Sequence, residues 1–401
     1  MTRLAGLALA VLAPAAVAAQ TRDQPYPASP RAISVGGELA ATIGPHDADA
    51  FFNYTDYERN ALRLVRGRLF GEWRVATPLS LIGELRTEDA SRIEASALYV
   101  RWRPWREHDF VVQAGRIPPV VGAFARRAYG RDNLVMGLPL AYQYLTSLRP
   151  DALPAAMSDV LRMRGRGWQP SFPIGAVEPA PGIPLISSTR WDTGVEAFWR
   201  VHWLETSGAV TFGSPAVPEV RDRTDGQQWS GRVALHFPDG LTVGASAARG
   251  AWIQRGVLAR LPTAIEHDWV QTVTGADVEF GRQRLLLRGE WLRSVFHLPL
   301  VAERSPATAL AAWSGFIEGR YRLHPRWQVA ARVERLTFSR VISAASLTPI
   351  PWDAPVDRVE GVIGFRATRR LELRAGWQHN WRSAGRVHER GYPAGQILYW
   401  F

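Results

Sequence analysis

Between Leu64 and Val75 the chain alternates between two kinds of side chain, and this pattern constrains the fold more than any other feature. The odd positions are apolar or glycine: Val65, Gly67, Leu69, Gly71, Trp73 and Val75. The even positions are mostly charged or aromatic: Leu64, Arg66, Arg68, Phe70, Glu72 and Arg74. A repeat of two places these sets on opposite faces of a β-strand. One such strand fits either a soluble sandwich with its polar face outward or a membrane barrel with its polar face toward the lumen.

The same alternation recurs along the chain, and the apolar rows often end in aromatic residues. It is found in segments 190–200, 229–237, 284–291, 313–322, 358–366 and 371–378. The chain has 17 Trp, and aromatic rings at strand ends are typical of the two interfacial girdles of a membrane barrel. We therefore expect the apolar rows to contact lipid of the outer membrane.

The predicted connections alternate in length. Short turns are expected at 77–78, 104–108, near Val201, and at 238–240, 281–282, 324–325 and 368–369. Longer connections are expected at 44–61, 118–185, 214–226, 253–266, 297–309, 342–355 and 383–392, with 89–92 as a short exception. Such alternation is typical of transmembrane barrels. It predicts an all-β, antiparallel up-and-down barrel of sixteen strands, or of eighteen if 159–170 is a strand rather than part of the long loop 118–185.

The first residues have the layout of a secretory signal peptide. Arg3 precedes an apolar run, Leu4–Leu12, and an A-x-A-like site at Ala16–Ala18. We expect 1–19 to be removed and 20–401 to form a single barrel domain. No later stretch reaches the roughly 18 apolar residues that a spanning helix requires.

The composition argues against several classes of chemistry. The chain has no Cys, and its 48 basic residues are all Arg, spread along polar strand faces rather than gathered in a nucleic-acid-binding surface. Known hydrolase, phosphate-loop and zinc motifs are absent, so we expect no enzyme, no metal and no cofactor. His236, near Ser230 and Arg232, is a candidate for a hydrolase site, and a lumen-facing wall histidine is the interpretation that we favour.

The end of the chain carries a family signature. Phe401, with Tyr399 and Ile397 at alternate positions before it, resembles the C-terminal strand of Gram-negative outer-membrane proteins. That resemblance implies recognition by the barrel-assembly machinery and location in the bacterial outer membrane after export.

The layout also resembles the sixteen-stranded porins, distantly including the phosphate-selective type. Residues 113–119, followed by 122–127, are similar to the strand of those porins that leads into an infolded loop. The resemblance raises a homotrimer as the assembly. Phosphate-selective porins use Lys beside Arg, whereas this chain has no Lys, so no phosphate site is transferred.

The long loop 118–185 is the candidate constriction of a pore, since loops of this length are usually functional. Arg162, Arg164 and Arg166 would share one face of an extended segment. Further candidates on the loop and the facing wall are Arg126, Arg127, Arg131, Arg66, Arg68, Arg86, Arg101, Arg103 and Arg116. Because rings of Arg favour anions, the sequence predicts a passive diffusion channel for small hydrophilic solutes, anions in preference.

Several alternatives remain open at this point. The Arg side chains could instead pair with wall or loop carboxylates such as Glu72, Glu84, Asp159, Glu318, Glu334 and Glu360. The whole molecule could be a plugged barrel that serves as an adhesin or scaffold, or an outer-membrane hydrolase. Two aromatic stretches, 51–57 and 141–145, could stack on a solute, but packing against the wall is favoured.

Overall fold

The computed structural model describes residues 32–47, 52–54, 60–90, 92–105, 107–128, 130–188, 191–262, 268–303, 307–343 and 346–401. The expected signal peptide, 1–19, lies outside these residues. The described helices are short: a 3₁₀ turn at Ala125–Arg127 and α-helices α1 Leu140–Gln143, α2 Met157–Arg162 and α3 Arg255–Leu258. None of them is long and apolar enough to cross a membrane.

Sixteen antiparallel strands form one closed barrel. In chain order they are β1 Ile33–Ile43, β2 Leu64–Ala76, β3 Leu79–Glu88, β4 Arg92–Trp102, β5 Asp109–Ile117, β6 Asp192–Val201, β7 Leu204–Ser214, β8 Gln227–His236, β9 Leu241–Ala251, β10 Val270–Arg282, β11 Leu285–Pro299, β12 Ala307–His324, β13 Trp327–Phe338, β14 Val356–Arg366, β15 Leu371–Arg382 and β16 Glu389–Trp400. Each strand pairs with the next, and β16 pairs with β1. Because the sheet closes on itself, no strand edge is left unpaired.

Small pieces of sheet lie outside the barrel wall. Val217–Pro218 extends the end of β7. The other pieces are two hairpins, Ala152–Leu153 with Ile174–Gly175, and Arg340–Ser343 with Ser346–Pro351. Both hairpins belong to connections between barrel strands.

The connections alternate in length, as predicted. The turns at the short-turn end of the barrel are 77–78, 103–108, 202–203, 237–240, 283–284, 325–326 and 367–370. The connections at the opposite, long-loop end are 44–63, 89–91, 118–191, 215–226, 252–269, 300–306, 339–355 and 383–388. The longest connection contains no barrel strand, because 159–170 begins in helix α2, so the count is sixteen and not eighteen.

The apolar rows face outward and the charged rows face inward. In β2 the Trp73 side chain is 53% exposed on the outer surface, whereas Glu72 beside it is buried. The outer surface also exposes Trp199, Trp229 and Trp381 near strand ends. A continuous exposed apolar wall of this kind is stable only against lipid.

The two ends of the sheet meet where Gly37 of β1 lies against the terminal Phe401. The Gly37 N–H donates to the Phe401 carbonyl at 3.2 Å, and the Phe401 N–H donates back at 3.1 Å. A Cβ atom at Gly37 would lie 2.5 Å from the Phe401 ring. The terminal aromatic residue of the predicted signature therefore lies across β1, where it helps to close the barrel.

We expect Gly37→Val to weaken barrel closure by about 1–3 kcal/mol, the usual cost of forcing extra atoms into a packed contact. Gly83→Val is the matched control, because Gly83 lies in the middle of β3 with no heavy atom within 4 Å of its Cβ position. The measurement is the temperature at which the folded form converts to the unfolded form on a heat-modifiability gel. Equal conversion temperatures for the two variants would contradict the argument.

Candidate functional site

The first part of the long loop, residues 120–148, lies inside the barrel, and we call it the lumen segment. Most of its apolar side chains belong to one buried cluster with inner-wall side chains of β9 to β14 and β16. Phe124 packs on Tyr142 and on Phe316 of β12, with ring centroids 5.3 Å and 5.9 Å apart. The lumen segment is therefore a packed part of the interior and not a solvated loop.

The packing interpretation of the two aromatic stretches is confirmed where the structure describes them. Tyr142 and Tyr144 are buried, and the Tyr144 ring lies 6.2 Å from that of Phe338. Phe52 and Tyr54 are buried at the long-loop end. The remainder of 51–57 lies outside the described residues, Asn53 excepted.

Four glutamates of the wall hold the lumen segment by its backbone N–H groups. They are Glu38 on β1, Glu290 on β11, Glu334 on β13 and Glu360 on β14. The donors are Gly130 (2.8 Å) and Arg131 (3.1 Å) to Glu38, Ala123 and Phe124 (both 2.9 Å) to Glu290, Leu140 (2.6 Å) to Glu334, and Met136 (2.9 Å) and Gly137 (2.8 Å) to Glu360. A carboxylate is an acceptor only, so it suits irregular backbone that offers several donors.

Arginines of the wall complete the binding by donating to backbone carbonyls. The pairs are Arg288 to Asp132 (2.9 Å), Arg332 to Gly137 (2.6 Å), Arg358 to Leu138 (3.0 Å) and Arg374 to Asn133 (3.1 Å). Buried backbone groups must be hydrogen-bonded, and here wall side chains replace a partner strand. The inward charges of β11 to β15 thus fix the position of the lumen segment.

Arg332 is the centre of this network. Its side chain is 0% exposed and forms ion pairs with Glu318 at 3.3 Å, Glu334 at 3.2 Å and Glu360 at 3.4 Å. A buried guanidinium without such partners would be strongly destabilising. Glu318, Glu334 and Glu360 were possible pairing partners for the candidate arginines. They pair instead with Arg332, which was not one of those candidates.

The candidate arginines of β2 to β4 also have wall partners. Arg66 pairs with Glu88 at 3.2 Å, and Arg68 pairs with Glu84 at 2.8 Å. Arg101 donates to the Tyr99 hydroxyl at 3.1 Å. Arg86 and Arg101 are buried on the inner face, and Arg103 follows in the turn 103–108. Burial, followed by the charge of Arg101, lowers the pKa of Arg103, while Glu72 and Asp109 act in the opposite direction.

Two candidate arginines of the lumen segment have described side chains. Arg127 pairs with Glu279 at 2.6 Å, and Arg131 is exposed, with its guanidinium 5.6 Å from the Trp400 ring centroid. The side chain of Arg126 lies outside the described part of the chain. The structure therefore brings Arg131 close to the inner wall near β16, where it meets solvent.

The run from Arg162 to Arg166 is not extended and does not lie with the lumen segment. Arg162 ends helix α2, is 60% exposed and pairs with Asp159 at 3.3 Å. Arg164 and Arg166 follow in a turn at the long-loop end, where the Gly165 N–H donates to Asp353 at 2.8 Å. These three arginines therefore lie in the second part of the long loop, residues 149–188, which we call the outer cap.

The outer cap packs on several external loops. The Met157 N–H donates to Glu303 at 3.1 Å, and the Gln271 side chain donates to the Leu185 carbonyl at 2.7 Å. Asp353 is fully buried and accepts the N–H groups of Ser147 and Gly165. Burial raises the pKa of Asp353, while these backbone N–H groups act in the opposite direction.

Arg116 differs from the other wall candidates in the face that it occupies. It lies opposite Leu98 and Thr193 in the register of β4, β5 and β6, and Leu98 is exposed on the outer surface. Its guanidinium donates to the Trp191 carbonyl at 3.1 Å and to the Ala95 carbonyl. Arg116 therefore binds backbone near the long-loop end and does not face the lumen.

His236 lies on the inner wall and bonds to neighbouring strands. Its ring nitrogens lie 3.1 Å from the Thr242 hydroxyl and 3.2 Å from a Glu205 carboxylate oxygen. Arg232 pairs with Asp277 at 2.7 Å and with the same Glu205 at 3.4 Å. Among the described residues no group of three His, Cys, Asp or Glu side chains is arranged to hold a metal ion.

Comparisons with known proteins show the fold. No family model matches the sequence. OmpT of Vibrio cholerae has a TM-score of 0.53 at 10% identity, with 92% of this chain and 97% of that chain covered. The outer membrane channel DcaP of Acinetobacter baumannii has a TM-score of 0.52 at 8% identity, with the same coverage. The anion-selective porin from Comamonas acidovorans has a TM-score of 0.50 at 11% identity, with 92% and 99% covered.

One curated sequence also matches, over a short stretch. It is the succinyl-diaminopimelate desuccinylase of Azoarcus sp. (strain BH72), 30% identical over 108 residues, which are 26% of this chain. The chain covers only 28% of the length of that relative, so the match does not describe the barrel. By its strand number, its closure and these structural neighbours, the chain has the closed sixteen-stranded β-barrel fold of porins.

Proposed function

We propose that the protein is a passive diffusion channel of the bacterial outer membrane for small hydrophilic solutes, anions in preference. The observation that carries this proposal is a closed sixteen-stranded barrel with a long loop folded into its lumen. A barrel of this strand number is wide enough to enclose an aqueous channel that an infolded loop narrows.

The proposed solute path runs beside the lumen segment. The backbone hydrogen bonds of that segment go mainly to β1, β11 and β13 to β15, so the path follows the polar inner wall of β2 to β8. Its candidate charged residues are Arg66, Arg68, Arg103, Arg127 and Arg131, and the buried Arg86 and Arg101 would act on it only through their charge. Arg162, Arg164 and Arg166 would act at the external entrance instead.

The anion preference rests on the charge balance of the chain. Over the whole chain the 48 Arg exceed the 37 acidic residues, and wall carboxylates such as Glu360 bind backbone N–H groups of the lumen segment. The surplus positive charge is therefore available to mobile anions.

The proposed location and partners follow from the resemblance of the C-terminal residues to those of outer-membrane proteins. After export, the barrel-assembly machinery would recognise Phe401, Tyr399 and Ile397, and lipid would surround the apolar wall. A homotrimer is part of the proposal, because one of the structural neighbours is described as a trimer form. We also propose that the protein is not an enzyme, since His236 bonds to wall residues rather than to a serine.

Single-channel recording in a planar bilayer tests this function, with a salt gradient to give the reversal potential. We expect stepwise conductance and a reversal potential that favours anions. A reversal potential that favours cations would support the channel but contradict the role of the arginines in ion selectivity. A folded barrel that does not conduct would favour the plugged adhesin or scaffold, or the hydrolase.

A further inference from the structure

Three arginines at the short-turn end of the barrel take part in none of the ion pairs described above. Arg320 and Arg322 lie on β12, on the same inner row as the buried Glu318, and Arg366 ends β14. Arg322 and Arg366 line a cleft together with His324, Arg326 and Gln328. The cleft opens between the start of β13 and the turns beside it.

No carboxylate of the described chain is within ion-pair distance of these three guanidiniums. The acids on neighbouring strands already have partners. Glu372 accepts from Arg374 at 2.6 Å and from Gln328 at 2.8 Å. Glu318 pairs with Arg332 at 3.3 Å and lies 3.7 Å from Arg288. The Nε atoms of Arg320 and Arg366 are buried and have no hydrogen-bond partner.

Like charges that are partly removed from water repel each other, and their N–H donors lose hydration. An oxyanion removes both costs, because a guanidinium presents two parallel donors that match phosphate or carboxylate oxygens. Gln328, a neutral residue of the cleft, donates its amide N–H to Glu372, so that carboxylate is already hydrogen-bonded.

We propose that Arg322 and Arg366, which line the cleft, form a binding site for a small oxyanion, a phosphate or carboxylate group, at the short-turn mouth of the barrel, with Arg320 two positions from Arg322 adding positive charge. The site deepens the proposed function, because it lies at one end of the proposed solute path. With this site, the path would distinguish solutes by their chemical groups as well as by their charge. Oxyanions with two or more oxygens would bind to the site, and chloride would not.

Calorimetric titration of the refolded, full-length barrel in neutral detergent tests the site, with sodium phosphate and sodium succinate as separate probes and sodium chloride as reference. We expect saturable binding of at least one oxyanion. Stronger binding of phosphate or of succinate then decides which group the site takes. The double variant Arg322→Gln, Arg366→Gln should weaken that binding by about tenfold or more, since it removes the charge-assisted hydrogen bonds of two guanidiniums.

The matched control is Arg282→Gln, Arg369→Gln, which removes the same charge at two exposed positions outside the cleft. We expect it to bind the oxyanion within about twofold of the unchanged protein, given that surface charges are largely screened by salt. Arg320→Gln is a second variant, and a heat-modifiability gel confirms that each variant is folded. Absence of oxyanion binding by the unchanged protein, or equal loss in the control, would overturn the proposal.

Failure of this site and failure of the channel are separate results. Oxyanion binding without conductance would keep the site and reject the channel. Conductance without saturable oxyanion binding would keep the channel and reject the site.

Discussion

Arg332→Met is expected to be the most destabilising single substitution in the barrel wall. It leaves Glu318, Glu334 and Glu360 buried without their shared cation, and the Gly137 carbonyl loses one of its two donors. Breaking a buried ionic network in this way costs about 3–5 kcal/mol. The measurements are the urea concentration at half-unfolding, followed by Trp fluorescence, and the rate at which a protease cuts the lumen segment.

Arg335→Met is the matched control, three positions along the same strand. Arg335 points outward, is 72% exposed and pairs with Asp357 at 3.4 Å. An exposed pair of this kind contributes about 0–1 kcal/mol. If both variants unfold at the same urea concentration and resist the protease equally, the wall network does not hold the lumen segment.

The barrel could be predicted because its strands obey one repeating rule. A wall between lipid and an interior forces every second residue to be apolar, so β2 shows the alternation along its full length and β14 shows it from Arg358 onward. Turn lengths then give the strand number. The ends of elements are less certain, since β10 continues through Arg282, where the pattern predicted a turn, and β11 reaches Pro299.

The interior was harder to predict, since it depends on contacts between residues far apart in the chain. Glu360 and Gly137 are separated by 223 positions and meet only after closure. Two local signals were available: the stretch 133–148 contains no charged residue, which indicates burial, and Asp159 can accept the N–H groups of Ala155 and Ala156 at the start of α2. The second signal indicates the start of a helix. The segment that contains the following arginines is therefore not extended.

Arg116 shows where the alternation itself fails. In β5 the inward row contains Val111, Gln113 and Ile117, and the outward row contains Val112 and Arg116, so both rows mix polar and apolar residues. A strand with mixed rows does not reveal which face is buried. Only the register with β4 and β6 assigns the face of Arg116.

Removing the long loop should raise the single-channel conductance several-fold. Ile117 and Asp192 are paired across β5 and β6, so residues 118–191 can be replaced by a turn of about four residues, a usual hairpin length. The barrel should still close, because every wall strand keeps both of its neighbours. Water would then hydrate the wall glutamates and arginines that had bound the lumen segment.

A smaller deletion separates the lumen segment from the outer cap. The Ile183 N–H donates to the Leu148 carbonyl at 3.0 Å, so 149–182 can be removed and these neighbours joined by a short linker. That variant keeps the lumen segment and should conduct close to the unchanged protein. If both deletions raise conductance equally, the outer cap is the constriction. If only the full deletion conducts and the unchanged protein does not, the lumen segment is a plug, and the wall charges that bind it keep the barrel closed.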